Sequence, residues 1–330
     1  MNNNPVVSII TTVHNEEKFI SSAIESILNQ SFYDYEFLIV DDASDDNTFD
    51  IIFAYSKFDS RIHIFQNKDN KGRSFSRNVA LANTKGKYVM IFDGDDISAN
   101  NRIETQLKFL QRNPDIDYVG SDCYYISQSN EISKPNLDLP LNHFDIYWKL
   151  FFSYPFYHTT TFGKRNLFIK AGGYPNELIV NEDIVLWMKM LNLGAKFANI
   201  SERLAYYRIY EIPFHYLLNG LISKYVHKGF MSCFLNYEIS PNIYNIIWET
   251  DATNLDPSLF SASNYFEAIQ CLLDLYERFQ KFAPDHDMYK IASSIENKLE
   301  LILNKFKCNE IEENYLSLNN YSFNYNNPAS

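Results

Sequence analysis

Short apolar runs alternate with amphipathic segments from residue 6 to about residue 125. Val6–Thr12, Phe37–Val40 and Tyr88–Phe92 are almost continuously apolar, which is typical of strands that are buried on both faces. Between the first two runs, apolar residues recur at helical spacing, at Phe19, Ile20, Ala23, Ile24, Ile27 and Leu28. This alternation predicts an α/β fold, in which a mostly parallel, Rossmann-like sheet lies between helices.

The remaining elements follow from the same patterns. Asn15 precedes the first helical segment and is predicted to be its N-cap, with Glu16 and Glu17 near the positive end of the helix dipole. Further helices are predicted over 51–58, 78–84, 103–110 and 181–193, and further strands over 61–65, from 118 onwards and over 204–209. Amphipathic helices are predicted from 214 to 306, with one apolar stripe at Ile291, Ile295, Leu299, Ile302 and Leu303.

The change of pattern near residue 210 divides the chain. We predict an α/β domain over 1–210, a helical C-terminal region over 211–318 and an Asn-rich, flexible tail over 319–330. The Tyr and Phe content of the helical region leaves three roles open, which are packing on the α/β domain, a homodimer interface and peripheral contact with a membrane. Because the region is not strongly basic, electrostatic attachment to a membrane has little support.

Acidic residues follow two of the predicted strands directly. Asp41–Asp42 ends one run and Asp93–Asp96 follows another, and ligands of such sheets bind outside the carboxyl ends of the strands. Either cluster alone could be a turn, but clustered carboxylates repel each other unless a cation such as Mg²⁺ or Mn²⁺ compensates them. The first turn, Thr11–Glu17, has no glycine, so it is neither a phosphate loop nor a dinucleotide fingerprint. A diphosphate bound here would therefore be held through a metal ion.

Bulk composition excludes several classes of protein. The formal net charge of -12 argues against binding to nucleic acid, which requires a basic surface. The cysteines lie too far apart for a metal-binding motif, and we expect reduced thiols at Cys123, Cys233, Cys271 and Cys308. No signal peptide is visible, and no stretch approaches the ~20 apolar residues of a membrane span. We therefore expect a cytoplasmic protein, which could still contact the inner face of the cell membrane peripherally.

Five segments in this order and spacing resemble the family-two glycosyltransferases of the GT-A fold. They are Val7–Glu17, Ser26–Phe32, Ile39–Asp46, Gly72–Asn78 and Phe92–Asp96. A later segment, 181–187, is similar to the Glu-Asp motif of that family, so the resemblance spans roughly residues 5 to 210. It implies a GT-A nucleotide-sugar-binding domain over 1–210 and an inverting transferase of the bacterial polysaccharide or lipooligosaccharide type.

The resemblance also implies a role for individual residues. Asp183 would be the catalytic base, although its place at a helix start could instead reflect dipole complementation. Asp95 and Asp93, the Asp-x-Asp motif, would bind Mn²⁺ or Mg²⁺. The nucleotide-sugar would be bound by Thr12, Asn15, Asp42, Arg77, Asp93 and Asp95, with Asp42 accepting from a uracil-type imide. Supporting or acceptor-binding roles fall to Asp96, Glu182, His158, Thr160 and Trp187. Arg77 could equally be a solvated helix residue, and Trp187 a core residue.

The implied reaction is the transfer of one sugar from a nucleotide-diphosphate donor, preferably a UDP-sugar, to a hydroxyl of a glycan or lipid-linked glycan. The enzyme would be a hexosyl- or N-acetylhexosaminyl-transferase of cell-surface polysaccharide biosynthesis. The Gln-x-x-Arg-Trp motif of processive synthases is absent, which favours single-sugar transfer. One departure concerns the family's Tyr-Arg-x-His pattern, because Tyr210 stands at the place of the metal-binding His, and His215 is the nearest substitute.

Three other interpretations are open to the same residues. Phe92–Asp96 resembles the nucleophile motif of haloacid-dehalogenase phosphatases, but that motif normally ends an early strand and has Thr or Val at the place of Ile97. A sugar-nucleotide pyrophosphorylase would need a Gly-rich first loop. A non-catalytic module with a decayed nucleotide-sugar site is disfavoured, because Asp42, Asp93, Asp95 and Asp183 are all present.

Overall fold

The computed structural model describes residues 4–135, 139–178, 180–210, 226–248 and 262–305. The chain divides into two compact units, 1–223 and 224–330. The predicted boundary at residue 210 adjoins a segment outside the described residues. The boundary at residue 318 and the tail 319–330 lie outside them altogether, as does His215, so these assignments stay predictions.

A nine-stranded sheet and seven α-helices form the described part of the first unit. The strands are β1 Val7–Val13, β2 Tyr35–Asp41, β3 Ile62–Gln66, β4 Tyr88–Ile91, β5 Ile97–Ser98, β6 Tyr118–Ile126, β7 Ile132–Ser133, β8 Phe162–Lys164 and β9 Phe197–Arg208. The helices are α1 Ile20–Leu28, α2 Thr48–Phe58, α3 Arg73–Asn83, α4 Arg102–Arg112, α5 His143–Lys149, α6 Arg165–Lys170 and α7 Glu182–Asn192, with a 3-10 turn at His158–Thr160.

The strands lie in the order β3-β2-β1-β4-β8-β6-β9-β5, with β7 beside β6. The longer pairings, β1–β2, β2–β3, β1–β4 and β6–β9, are parallel, whereas the short strands β5, β7 and β8 pair antiparallel. The predicted α/β fold with a mostly parallel sheet is therefore confirmed.

Helices cover both faces of the parallel strands. Ile24 and Ile27 of α1 share one apolar core with Ile9 and Phe37, which alternate along β1 and β2 with residues buried on the opposite face of the sheet. Burying each such side chain contributes about 1.5–3 kcal/mol. The helix α3 contacts β1 and β2 without joining that core, so it covers the opposite face.

Asn15 is not the N-cap of α1, which corrects the prediction from the sequence. The helix begins at Ile20, and its N-cap position is Phe19. Asn15 has a left-handed backbone with φ 59°, and its side-chain oxygen accepts a hydrogen bond from the backbone N–H of Asp45 at 2.9 Å. The side chain thus joins the β1–α1 loop to the β2–α2 loop instead of capping a helix.

The carboxyl ends of β1, β2 and β4 meet at one edge of the sheet, because these strands are parallel neighbours. Val13 pairs with Asp41, and Ile10 pairs with Ile91. The backbone N–H of Asp42 donates to the carbonyl of Val13 at 2.8 Å, which extends the pairing past the end of β2. Both acidic clusters therefore leave the sheet at the same edge.

Helices make up the described part of the second unit, as predicted. Residues 226–235 are helical (α8), followed by α9 Pro241–Trp248, α10 Ala262–Phe282 and α11 Tyr289–Lys305. The helix α10 packs against α9 and α11, and the predicted stripe of α11 is buried at Ile291, Ile295 and Ile302. Within the described ranges, none of the helices is both long and apolar enough to span a membrane.

Candidate active site

The turn Asp93–Asp96 follows β4 and presents its carboxylates unequally. Asp93 and Asp95 are half-buried and can meet a ligand, whereas Asp96 is buried. The carboxylate of Asp96 accepts a hydrogen bond from the backbone N–H of Arg208 at 2.6 Å, which fixes the turn against the end of β9. A Cβ atom on Gly94 would lie 2.4 Å from Cγ1 of Val13, so only glycine allows this close approach to β1.

Negative charge accumulates around this turn. Burial, followed by repulsion from Asp93, raises the pKa of Asp95. Burial raises the pKa of Glu16 to about 8, with further contributions from Asp95 and Asp93. Burial alone would also raise the pKa of Asp93, but the combined attraction of Arg77, His158 and Arg73 lowers that pKa. The turn thus holds carboxylates that a nearby cation would stabilise in their ionised form.

Glu16 is a functional candidate, although its place in the sequence predicts only helix-dipole complementation. It lies before α1, outside the helix, and its backbone N–H donates to the Thr48 hydroxyl at 2.7 Å. The electrostatic influence of Asp93 and Asp95 on its carboxyl group places it beside the acidic turn. In the sequence, only its position in the glycine-free first loop indicated a place near the ligand.

Asp42 and Asn15 are held by the protein's own hydrogen bonds. The carboxylate of Asp42 accepts from Asn67 Nδ2 at 2.7 Å and from the backbone N–H groups of Lys71 and Gly72 at 2.9 and 2.8 Å. It thereby fixes the loop that enters α3 at Gly72. Thr12 is half-buried near the end of β1. The three residues thus lie at the edge where the sequence predicted a nucleotide.

Arg77 joins the acidic turn to the helix that carries the predicted base. Its guanidinium donates to Oε1 of Glu182 at 2.5 Å and to Oδ1 of Asp93 at 3.1 Å. It is only 6% exposed and stands 5.5 Å from the ring centroid of Tyr174, so it is not a solvated helix residue. Two motifs that are far apart in the sequence are therefore linked by a single buried cation.

Asp183 stands in the first turn of α7, after Asn181, whose backbone is left-handed at φ 63°. The side chain is half-buried, and its Oδ1 accepts a hydrogen bond from the backbone N–H of Ile184 at 2.8 Å. Burial, and then the neighbouring charge of Glu182, raise the pKa of Asp183 to about 7. A carboxyl group that titrates near neutral pH can both take up and release a proton.

His158, Thr160 and Trp187 are placed differently. Nε2 of His158 lies 3.0 Å from the Tyr174 hydroxyl, and burial, with help from the charge of Arg77, lowers the pKa of His158 well below its usual range, which leaves the imidazole neutral. Thr160 and Trp187 are fully buried. Trp187 donates its indole N–H to the Tyr118 hydroxyl at 3.0 Å, so it packs in the core and has no face free for a sugar.

The donor set of the acidic turn fits a divalent cation. Among the described residues, no group of three His, Cys, Asp or Glu side chains forms a complete metal cage. A magnesium ion is usually held by one or two carboxylates, with phosphate oxygens and water completing its coordination. Half-buried Asp93 and Asp95, with raised pKa values at Asp95 and Glu16, offer such a partial set.

The acidic turn lies at the strand ends of a mostly parallel sheet, and a buried arginine joins it to a carboxyl group that titrates near pH 7. This arrangement is suited to group transfer from a nucleotide diphosphate. The family model for glycosyl transferase family 2 matches residues 8–172, and the chain belongs to this family. The predicted family and the assignment as a glycosyltransferase are therefore confirmed.

Two relatives illustrate the range of the family. An uncharacterized glycosyltransferase of Methanocaldococcus jannaschii is 34% identical over 207 residues, which cover 62% of this chain and 71% of the relative. The O-antigen biosynthesis glycosyltransferase WbnJ of Escherichia coli is 29% identical over 248 residues, covering 70% of this chain and 95% of WbnJ.

Solved structures agree on the fold. The 1–349 fragment of TarS from S. aureus matches with a TM-score of 0.57 and 19% identity, covering 94% of this chain and 91% of the fragment. Of the longer TarS structure, the chain spans 54%. The same fragment has been solved in complex with UDP-GlcNAc. The similarity confirms the predicted GT-A fold with helices towards the C-terminus.

Proposed function

We propose that the protein transfers a single sugar from a UDP-sugar to a hydroxyl of a glycan or lipid-linked glycan, with inversion at the anomeric carbon. Asp183 is the base, and Asp95 and Asp93 would hold Mn²⁺ or Mg²⁺, which would supply positive charge to the departing UDP. The product belongs to a cell-surface polysaccharide. The O-antigen role printed for WbnJ and the UDP-GlcNAc complex of TarS support the acceptor class and the nucleotide.

The bridge made by Arg77 carries this proposal. It ties Asp93 of the acidic turn to Glu182, which directly precedes Asp183 in α7. The groups proposed for the donor and for the acceptor are therefore held together by one buried side chain. A carboxyl group with a pKa of about 7 in this place supports catalysis over binding alone, because perturbed pKa values cluster at catalytic sites.

At the donor end, the carboxylates of Asp93 and Asp95 provide oxygen ligands for a hard cation. When bound, the cation neutralises charge that develops on the departing diphosphate. Thr12, Asn15 and Asp42 contribute the edge of the sheet on which the nucleotide rests. Asp96 supports the turn from behind through the backbone N–H of Arg208.

At the acceptor end, a sugar hydroxyl is a poor nucleophile and needs a positioned base. Asp183 accepts the hydroxyl proton as the acceptor oxygen bonds to the anomeric carbon. The bond from that carbon to the diphosphate oxygen breaks on the opposite face, and UDP leaves with the electron pair. His158, neutral and next to Arg77 and Tyr174, borders this side of the site.

A donor panel tests the proposal without knowledge of the acceptor. Purified protein is incubated with UDP-hexoses, UDP-N-acetylhexosamines and GDP-sugars, each with Mn²⁺, and nucleotide release is measured. We expect slow release of UDP from one class of UDP-sugar, stopped by EDTA and by Asp183→Asn. Binding of UDP-sugars without hydrolysis or transfer under any condition would favour the non-catalytic module.

The cellular setting is part of the same proposal. We propose action in the cytoplasm. Peripheral contact at the inner face of the membrane, where a lipid-linked acceptor would lie, and a homodimer formed through the helical C-terminal region stay two of the three roles open to that region. Flotation with phospholipid vesicles and the mass measured by light scattering test the two associations separately.

A further inference from the structure

Tyr210 reaches back into the acidic turn from just beyond the end of β9. Its hydroxyl donates a hydrogen bond to Oδ2 of Asp95 at 2.6 Å, while the residue itself is 41% exposed. The phenolic O–H is the donor in this bond and the carboxylate oxygen is the acceptor. Resting on the proposed function, we propose that Tyr210 is a positioning residue that fixes the carboxylate of Asp95 for binding of the metal–UDP complex.

Arg208, two residues before Tyr210, joins the end of β9 to the same turn. The backbone N–H of Arg208 donates to the carboxylate of Asp96, and its Nε donates to the backbone carbonyl of Asp95, both at 2.6 Å. The guanidinium lies 3.9 Å from the ring centroid of Phe19, against which Tyr210 packs edge-on at 6.5 Å. Arg208 at the end of β9 thus holds the backbone of the acidic turn, and Tyr210 just beyond it holds the Asp95 side chain of that turn.

The hydrogen bond leaves Asp95 with a defined ligand geometry. The hydroxyl occupies one direction at Oδ2, so rotation of the carboxylate is restricted and Oδ1 remains for a cation. Carboxylates that bind metals are commonly oriented by such partners, and loss of a partner typically weakens metal binding about 10- to 100-fold. Tyr210 therefore acts on the metal through Asp95 and needs no direct contact with it.

The test compares Tyr210→Phe, which removes only the hydroxyl, with Tyr206→Phe. Tyr206 is on β9 and stacks on Tyr124 with ring centroids 5.2 Å apart, so its substitution removes a hydroxyl and leaves the hydrogen bond to Asp95 in place. Titration calorimetry measures the affinity for UDP in excess Mn²⁺ and again in EDTA. The melting temperature of each variant measures whether the fold is retained. Because Tyr210 is exposed, we expect it to be.

In Mn²⁺, we expect Tyr210→Phe to bind UDP about 10-fold more weakly than the wild type, because the carboxylate of Asp95 is no longer oriented. In EDTA, its UDP affinity should equal that of the wild type, and Tyr206→Phe should match the wild type in both conditions. Wild-type affinity of Tyr210→Phe in Mn²⁺, or an equal loss in EDTA, would overturn the inference alone. Absence of Mn²⁺-dependent UDP binding in the wild type would overturn the metal-assisted function and this inference with it.

Discussion

Two groups of partly buried acids in the described part of the molecule have different surroundings. In the acidic turn Asp93–Asp96, burial and then the charge of neighbouring carboxylates raise the pKa values of Asp95 and Asp96, whereas Arg77 helps to lower the pKa of Asp93. At the start of α7, the same Arg77 pairs with Glu182, while Asp183 keeps a pKa of about 7. Excess charge suits a metal ligand, whereas a single carboxyl group that titrates near neutral pH suits a base. Identical side chains therefore acquire different roles from their neighbours.

The largest effect is expected for Asp183→Asn, which keeps the size of the side chain but cannot accept a proton. Because general bases typically contribute about 10²- to 10⁴-fold, transfer and donor hydrolysis should fall by that factor. Nucleotide release from the preferred UDP-sugar measures it. Asp50→Asn on the exposed surface of α2 is the matched control and should retain full activity. Wild-type rates in Asp183→Asn would remove Asp183 from the role of base.

Arg77→Met tests the link between the two acidic groups. It leaves Glu182 and Asp93 without their shared cation, and breaking a buried ion pair from one side typically costs about 3–5 kcal/mol. Urea unfolding followed by circular dichroism measures the loss. Lys108→Met, which removes an exposed pair with Glu104 on α4, should leave the free energy of unfolding nearly unchanged, because solvent screens such pairs. Equal free energies of unfolding for the two variants would show that the Arg77 bridge stabilises the fold no more than an exposed ion pair does.

Asp95→Asn addresses the acidic turn alone. The change lowers the negative charge available to a cation, so the Mn²⁺-dependent affinity for UDP should fall. Removing a partner of a metal ligand typically weakens metal binding about 10- to 100-fold, and removing the ligand itself should have at least that effect. Calorimetry in Mn²⁺ and in EDTA separates this effect from loss of nucleotide contacts. If the variant bound UDP as tightly as the wild type in Mn²⁺, Asp95 would not be a ligand.

The smallest effect is a shift in pH dependence. Asp183 acts as a base only when ionised, so kcat/KM should rise with pH through about 7 and then level off. Because the charge of Glu182 raises the pKa of Asp183, Glu182→Gln should move this rise to lower pH. A pH–rate profile of both proteins provides the measurement, and a rise that stayed in place would mean that Glu182 does not influence the base.

Much of the fold could be predicted because its signals are local. The continuous apolar runs of β1, β2 and β4 and the helical spacing of α1 are visible within a few residues of each other. The prediction for Asn15 was wrong for the same reason. An asparagine before a helix indicates an N-cap, but its side chain instead accepts a hydrogen bond from the backbone N–H of Asp45. The strands β5, β7 and β8 have only two or three residues, too few to establish a period.

The candidate site was predictable only where its residues stand in motifs. Asp93, Asp95 and Asp183 were named from their segments. By contrast, the partners of Arg77 and Tyr210 lie far along the chain, and no local pattern connects Tyr210 with Asp95 across a sequence separation of 115 positions. Such contacts depend on the register of the sheet, which brings the end of β9 close to the turn that follows β4.

The most direct test of these separate roles measures Mn²⁺-dependent UDP binding in Asp183→Asn and Asp95→Asn side by side, which requires no acceptor. We predict wild-type affinity for Asp183→Asn, because the base does not hold the nucleotide, and clearly weaker binding for Asp95→Asn. Equal losses in both variants, or a loss confined to Asp183→Asn, would contradict the division between a metal-binding turn and a catalytic helix.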